Sequence, residues 1–306
     1  MTEIDFAREL DFSEVLTNPI LDIAARCWDR ERYEAFKICY RSMRIIDDLV
    51  DSRKATGITV SARECKDYIK VLSDWLESLK RRLPSDTFQQ ELVATIEKFR
   101  IPLWPWEKLV SAMIYDLTHE GFPTFRDFLR YCEGAAVAPA SVFMHLCGAN
   151  KKNGVYFPPD FDSRNTARPL ALFSYLVHIL RDFQQDQKNH LNYFADDICK
   201  RHGLTAERLR EIAEKGEISQ PFRDMIARYL KFAESYRQKA RRTISQAVVH
   251  LKSRYRLSLE IIYHLYHQIF ERIDPQTGKF TARELTPTPE EIRERIDRTI
   301  ASFQSA

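Results

Sequence analysis

The chain has 306 residues, of which 44% are hydrophobic and 30% are charged, so it can bury a sizeable core. Its 47 Lys and Arg residues nearly balance its 44 Asp and Glu residues, and the formal net charge of +3 argues against a nucleic-acid binder. Only eight glycines occur, all isolated, which excludes Gly-rich nucleotide-binding loops and disfavours a turn-rich β protein. The composition therefore predicts a helical protein.

Cellular location can be approached through three features of the sequence. No run of about 18 apolar residues occurs, so no membrane span is predicted. Residues 1–14 are acidic and lack the apolar centre of a signal peptide, so we expect a cytoplasmic protein. The six cysteines are scattered without a Cys-x-x-Cys pair, which predicts buried thiols in a reducing compartment rather than disulfides or a zinc site.

Helical periodicity dominates the chain, and segments with Gly or Pro separate the periodic runs. We predict helices over residues 19–28, 31–55, 61–82, 86–100, 106–119, 124–148, 168–195, 205–214, 219–254, 257–273 and 288–303. Between the sixth and seventh of these, Gly148 to Thr166 is the longest stretch without periodicity, and we predict that it is a loop.

The predicted helix over 124–148 should be irregular, because Gly134 and Pro139 lie inside an apolar run. Pro139 lacks a backbone N–H and its ring clashes with the preceding turn, so we expect a kink. The small side chains between them leave room beside the backbone. Two interpretations stay open: close packing of this helix on another, or a broken helix that lines a cavity for a long apolar ligand.

The first acidic cluster is Asp47-Asp48-Leu-Val-Asp51, which follows Arg44-Ile-Ile. Asp47 and Asp51 are four residues apart, so a helix places them on one face, one turn apart. Like charges at that spacing repel, and apolar neighbours make the repulsion more costly. A cluster of this kind alone is most simply a solvated acidic turn; its alternative is a site where cations lie between the carboxylates.

A second cluster, Arg181-Asp182-Phe-Gln-Gln-Asp186, repeats the spacing of four after another apolar run. If the two clusters face each other, four or five carboxylates surround one cavity. Hard oxygen ligands suit Mg²⁺, which commonly bridges carboxylates and phosphates, and Arg44, Arg181 and Lys188 would pair with the remaining phosphate oxygens. This pattern indicates metal-assisted departure of diphosphate, which leaves a carbocation in an apolar, aromatic-lined pocket.

At these motifs the sequence resembles the squalene/phytoene synthase family. The resemblance extends from about residue 18 to about residue 285, and its order and spacing are specific although each piece alone is weak. The segments that carry it are Tyr40 to Asp51, Ile114 to Leu117 with Thr124 to Cys132, His178 to Asp186 with Tyr193-Phe194, Tyr266 to Ile273, and Phe280 to Arg283.

The resemblance implies a fold and an activity. The fold is all-α, the isoprenoid synthase fold, with residues 1–306 forming a single domain, one helical bundle around a central cavity. The implied activity is Mg²⁺-dependent head-to-head condensation of two prenyl diphosphates, farnesyl or geranylgeranyl, through a cyclopropylcarbinyl diphosphate to a squalene- or phytoene-type product. Reduction by NADPH is compatible with the family, although no sequence motif supports it.

The resemblance also implies roles for individual residues. Metal binding falls to Asp47, Asp48, Asp51, Asp182 and Asp186. The four aspartates that begin and end the motifs, together with Tyr40 and Tyr193, are the implied catalytic residues. Substrate binding falls to Arg44, Arg181, Lys188, Tyr131, Val137, Tyr266 and Arg283.

Three positions depart from the family pattern. His178, Tyr175 and Leu191 stand where the family usually has Asn, Gln and Arg, respectively. We interpret His178 as a hydrogen-bonded core histidine rather than a metal ligand. Both aspartate pairs are retained, so we expect the diphosphate site to be kept. The three departures instead bear on whether the protein forms the usual product, performs the second ionisation or uses the usual acceptor.

Two alternatives to the head-to-head synthase therefore stay open. One is a divergent member that acts on a single prenyl diphosphate or stops at the cyclopropyl diphosphate. The other is a non-catalytic assembly factor derived from the family, which the retained aspartates argue against. The product class would be very apolar, so peripheral membrane contact through a basic or apolar face is compatible with the sequence. The sequence does not indicate an oligomeric state.

Overall fold

The computed structural model describes residues 19–305 and confirms the all-α prediction. In chain order its helices are α1 (Ile20–Ala25), α2 (Arg30–Lys54), α3 (Ala62–Arg81), α4 (Thr87–Phe99), α5 (Trp104–Thr118), α6 (Phe125–Cys132), α7 (Ala138–Gly148), α8 (Ser163–Arg181), α9 (Phe183–Lys188), α10 (Asp196–Arg201), α11 (Ala206–Lys215), α12 (Gln220–Ala247), α13 (Ser253–Arg272), α14 (Ala282–Leu285) and α15 (Pro289–Gln304). The signal-peptide argument about residues 1–14 lies outside the described part.

The segment between α7 and α8 corrects the prediction of a loop. It contains a two-stranded antiparallel hairpin, β1 (Asn150–Lys152) and β2 (Val155–Phe157), with Asn150 opposite Phe157. Helix α8 then begins earlier than predicted, because the Asp162 carboxylate accepts hydrogen bonds from the backbone N–H groups of Arg164 and Asn165 and caps it.

The predicted helix over 168–195 is also shorter and is interrupted. It breaks at Asp182, which is the shared cap between α8 and α9, and residues 189–195 are not helical. The backbone N–H of Asp186 still donates to the carbonyl oxygen of Asp182 at 2.8 Å. The one-turn relation between the two aspartates therefore survives the break.

The irregular helix takes the form of a π-turn, Glu133–Val137, between α6 and α7, with Pro139 in the first turn of α7. A Cβ on Gly134 would lie 2.2 Å from the carbonyl oxygen of Lys108 on α5, so the absence of a side chain permits close helix packing there. Ala135 and Pro139 line a cavity. Close helix packing and a cavity wall therefore both occur in this segment, each on a different face.

Helix α8 lies at the centre, in contact with α7, α12 and α13, and its apolar residues Leu172, Phe173 and Leu176 have no exposed surface. All six cysteines are free, and all but the half-buried Cys65 are buried, as predicted. Among residues 19–305, none of the helices combines the length and apolarity needed to cross a bilayer.

We predict that Gly134→Ala lowers the free energy of unfolding by about 1–3 kcal/mol, because the new methyl group overpacks the contact with α5. Gly121→Ala is the matched control, since a Cβ there finds its nearest neighbour at 3.6 Å. Denaturant unfolding of both variants measures the difference. Equal stability of Gly134→Ala and the native chain would contradict the packing argument.

Candidate active site

A cavity of about 260 Å³ runs along the face of α8. Thr166, Leu170, Ser174 and His178 line it at intervals of four residues, one helical turn each. This stripe extends over twelve residues, so it is about 18 Å long at the rise of an α-helix. The cavity is therefore elongated, as a chain-like ligand requires.

One end of the cavity is acidic. Asp47 and Asp51 reach it from α2, and Asp186 reaches it from α9, so both acidic clusters contribute to one cavity. Arg44 lines the same end and pairs with Asp47 at 2.7 Å. Within the described part of the chain, Asp51 Oδ1 and Asp186 Oδ2 are buried and accept no hydrogen bond. Buried carboxylate oxygens without a donor are costly, and a bound cation would satisfy them.

The pKa values of these carboxyl groups reflect the same crowding of negative charge. Burial, together with the charges of Asp182 and Asp51, raises the pKa of Asp186 to about 8. Burial, Asp47 and Asp116 raise the pKa of Asp51 to about 7. Burial raises the pKa of Asp47 to about 6, against the opposing effect of Arg44. Three carboxyl groups in this cavity thus resist ionisation unless positive charge is added.

Asp182 behaves differently because Arg181 holds it. Both of its oxygens accept hydrogen bonds from the Arg181 guanidinium at 2.6 Å, and it does not line the cavity. Burial opposes ionisation, but the Arg181 hydrogen bonds hold the pKa of Asp182 below its usual value. Arg181 and Asp182 therefore form a neutralised pair beside the carboxylates of Asp47, Asp51 and Asp186.

His178 lies in the cavity wall, so its interpretation as a core histidine is wrong in location although its hydrogen bonding is confirmed. Arg181 Nη2 donates to His178 Nδ1 at 3.0 Å, and His178 Nε2 lies 3.1 Å from Asp182 Oδ2. Burial and the Arg181 charge lower the pKa of His178 to about 4. The ring is consequently neutral at pH 7, with its proton on Nε2.

Three tyrosines lie together in the cavity wall. The ring centroids of Tyr131, Tyr175 and Tyr193 are 6.1 to 6.4 Å apart. Burial raises the pKa of all three phenols well above the usual value, so each is neutral. Tyr40 and Tyr266 line the cavity as well. Neutral aromatic rings in a dry wall can stabilise a cation through their faces.

Asp116 is a site residue that the sequence argument did not assign. It is buried on α5, accepts a hydrogen bond from the Tyr131 hydroxyl at 2.6 Å, and pairs with Lys54 Nζ at 3.2 Å. It lay within the segment that resembles the family, but a single aspartate on an apolar helix carries no spacing pattern. Its contacts fix the orientation of Tyr131.

Besides the Arg181–Asp182 pair, four of the assigned residues do not line this cavity. Asp48 is exposed and pairs with Arg44, because the residue after Asp47 is rotated by about 100° around the helix. Val137 is fully buried in the π-turn, and Lys188 and Arg283 are exposed. Leu191, which stands where the family pattern usually has Arg, is buried and borders the cavity. Its backbone N–H donates to the carbonyl oxygen of Asp186.

Comparison with known proteins decides the family. The squalene/phytoene synthase profile matches residues 23–291, most of the chain. The chain belongs to the squalene/phytoene synthase family. Phytoene synthase 2 of Zea mays is 27% identical over 260 residues, which are 83% of this chain and 59% of that protein. The Oncidium hybrid enzyme is 25% identical over 257 residues, 83% of this chain and 58% of its own length.

This family member is thus similar to phytoene synthases but spans less than two thirds of those two relatives. Two solved structures share its fold at 15% identity. A dehydrosqualene synthase in complex with ligand gives a TM-score of 0.70 over 99% of both chains. A squalene synthase of Alicyclobacillus acidocaldarius gives 0.58 over 81% of this chain and 96% of that chain. The isoprenoid synthase fold is confirmed.

We predict that Asp51→Asn raises the melting temperature of the metal-free protein by roughly 2–4 °C, equivalent to about 1 kcal/mol. The folded-state pKa of Asp51 is raised, so its ionised form destabilises the fold, and the penalty grows as pH rises through about 7. The gain should therefore be larger at about pH 8 than at about pH 5.

The measurement is thermal unfolding in the presence of a chelator. Asp74→Asn serves as the control, because Asp74 is exposed on α3 and pairs with the likewise exposed Lys70 of the same helix. A melting temperature that Asp51→Asn lowers at both pH values would show that the Asp51 carboxylate is not under electrostatic strain.

Proposed function

We propose that this protein is a prenyltransferase that condenses two prenyl diphosphates head to head with Mg²⁺, to a squalene- or phytoene-type product. The observation that carries the proposal is the acidic end of an elongated apolar cavity, where Asp51 and Asp186 hold buried oxygens without donors. A chain-like substrate with a diphosphate head fits that polarity. Family membership supports the reaction class.

The metal would be held by Asp47 and Asp51 from one side and by Asp186 from the other, with Asp182 close by. Their hard oxygen donors and unsatisfied atoms fit Mg²⁺. Within residues 19–305, no three His, Cys, Asp or Glu side chains form a ready-made metal site. The oxygens of a substrate diphosphate would complete the coordination. Bound there, Mg²⁺ supplies positive charge to the departing diphosphate.

The chain's own residues would do the rest. Arg44 is exposed at the acidic end and can exchange its contacts with Asp47 and Asp48 for diphosphate oxygens. Tyr131, Tyr175 and Tyr193 would face the allylic cation left after the diphosphate departs. Because their hydroxyls are neutral and buried, they are poor nucleophiles, and their rings keep water from the cation.

Leu191 favours a second candidate, an enzyme that stops at the cyclopropyl diphosphate or acts on one prenyl diphosphate. At a position where the family usually has Arg, this chain places a buried apolar side chain against the cavity. A leucine cannot pair with the diphosphate of an intermediate. The same cavity would then perform the first ionisation efficiently and the second one poorly.

The decisive assay is purified protein with farnesyl or geranylgeranyl diphosphate and Mg²⁺, with and without NADPH. Mass analysis of hydrocarbon and phosphorylated products separates the candidates. A C30 or C40 hydrocarbon supports the full reaction, and a cyclopropyl diphosphate or a product of one substrate supports the second candidate. Absence of diphosphate release with either substrate would contradict both and favour an assembly role.

We predict that Asp47→Asn and Asp186→Asn each reduce pyrophosphate release by about 10²–10³-fold, because each removes charge that stabilises the metal-diphosphate group. Asp74→Asn on the surface of α3 is the matched control and should keep its rate. Steady-state pyrophosphate release measures all three. Retention of activity in both cavity variants would rule out the proposed metal site.

We predict that Leu191→Arg raises the ratio of hydrocarbon to cyclopropyl diphosphate, because a guanidinium can pair with the second leaving group. Leu191→Met keeps an apolar side chain and should leave the ratio unchanged. Product analysis under single-turnover conditions gives the ratio directly. An unchanged ratio in a folded Leu191→Arg protein would show that this position does not control the second ionisation.

A further inference from the structure

One end of the molecule is built from the β-hairpin and the turn between α12 and α13. We call residues 150–161 and 248–252 the hairpin end. The two segments are neighbours, since the ring centroids of Phe161 and His250 are 6.0 Å apart. The hairpin is fixed to the bundle because Tyr156 is buried and its hydroxyl donates to Glu31 on α2 at 2.6 Å.

Large apolar side chains are exposed at the hairpin end. Val155 and Phe157 point outward on either side of the buried Tyr156 and are 48% and 37% exposed. Val249 in the neighbouring turn is 78% exposed. Water-exposed apolar side chains grouped on one end of a protein mark a site of contact with another apolar phase.

The hairpin end, together with Arg100 at the adjoining C-terminus of α4, carries cations. Arg100, Lys152 and Lys252 are exposed and form no ion pair with a carboxylate among residues 19–305. The Arg100 guanidinium lies 4.5 Å from the centroid of the Phe157 ring. This surface therefore combines apolar side chains with positive charge, which complements an anionic lipid surface.

The nearby anions are already engaged. Glu31 binds Lys98 and Lys151, and its pKa is lowered to about 2 by these contacts. Asp160 accepts a hydrogen bond from Asn150, and Asp162 caps α8. The net charge of the side chains named here is nevertheless positive, because five cations (Lys98, Arg100, Lys151, Lys152 and Lys252) outnumber three anions (Glu31, Asp160 and Asp162).

The hairpin end lies beside the apolar end of the cavity. Met144 on α7, Thr166 on α8 and Ile244 on α12 all line the cavity, and each lies within four residues of the helix end that meets this surface. The aspartates lie at the opposite end. Along α2, Glu31 beside the hairpin and Asp51 are separated by about 30 Å at the rise of an α-helix.

We propose that the hairpin end docks on an anionic lipid bilayer, with Val155, Phe157 and Val249 entering the interface and Arg100, Lys152 and Lys252 at the headgroups. The cavity then opens its apolar end toward lipid while the aspartate end faces water. The benefit of this orientation rests on the proposed function: an apolar product leaves into the bilayer, and the released diphosphate leaves into water.

The test is co-sedimentation of the purified chain with vesicles. Vesicles of phosphatidylcholine with about one third phosphatidylglycerol should bind the native protein, and phosphatidylcholine alone or high salt should weaken binding. The triple variant Arg100→Gln/Lys152→Gln/Lys252→Gln should lose about 100-fold in partitioning, given the contribution of each cation near a charged membrane. Phe157→Ser/Val249→Ser should weaken binding as well.

The matched control is Lys200→Gln/Lys215→Gln/Lys231→Gln, which removes the same charge from exposed positions on α10, α11 and α12. It should bind anionic vesicles as the native protein does. A conservative triple, Arg100→Lys/Lys152→Arg/Lys252→Arg, keeps the charge and should also bind, and circular dichroism confirms folding of each variant. Equal losses in the control and the hairpin-end variant would overturn the proposal, as would native protein that binds neutral and anionic vesicles alike.

Pyrophosphate release in detergent solution separates this proposal from the proposed function. The hairpin-end variants should release pyrophosphate at the native rate there, because none of their residues lines the cavity. Vesicle binding without any release from prenyl diphosphates would leave the docking surface standing and refute the enzyme. Pyrophosphate release without vesicle binding would refute the docking surface and leave the proposed enzyme standing.

Discussion

The arrangement depends on three carboxylates that share the end of an apolar cavity without enough positive charge to balance them. Asp47, Asp51 and Asp186 arrive from two helices that are distant in sequence, and burial raises the pKa of each. Only Asp47 has an arginine partner at close range. A ligand that brings positive charge would relieve this repulsion, and under the proposed function a metal-bound diphosphate would supply both the cation and the remaining oxygens.

The rest of the cavity follows from the direction of the helices. The acidic residues of α2 lie in its C-terminal half, and α8 carries its apolar lining before it reaches His178 near its C-terminus. The two helices therefore give the cavity one charged end and one apolar end. The π-turn before α7 contributes by replacing bulky side chains with Ala135 and Ala136 along the wall. A long apolar chain with an anionic head matches that gradient.

Much of this site is predictable because it depends on helical periodicity. The spacing of four residues predicted that Asp47 and Asp51 share one helix face, and Gly134 with Pro139 predicted an irregular helix. Periodicity says nothing about contacts between side chains of different helices. It therefore could not show that Arg181 withdraws Asp182 from the cavity, or that Asp116 supports Tyr131.

The fold, like the site, was predictable where it depends on helical periodicity and not elsewhere. The helices of the bundle were predicted because their apolar faces repeat over many residues. The β-hairpin was not, since strands of three residues are too short for an alternating pattern to stand out. Three residues that were assigned from the family resemblance do not line the cavity: Val137, Lys188 and Arg283. A sequence motif fixes the position of a residue along the chain and not the direction of its side chain.

The most direct test of the central claim is calorimetric titration of inorganic pyrophosphate into the native protein, with and without Mg²⁺. If the three carboxylates form one site for metal and diphosphate, pyrophosphate binds only when Mg²⁺ is present, and Asp51→Asn/Asp186→Asn abolishes the binding. Pyrophosphate binding of equal strength in a chelator, or undiminished binding by the double variant, would show that these carboxylates do not act together on a metal.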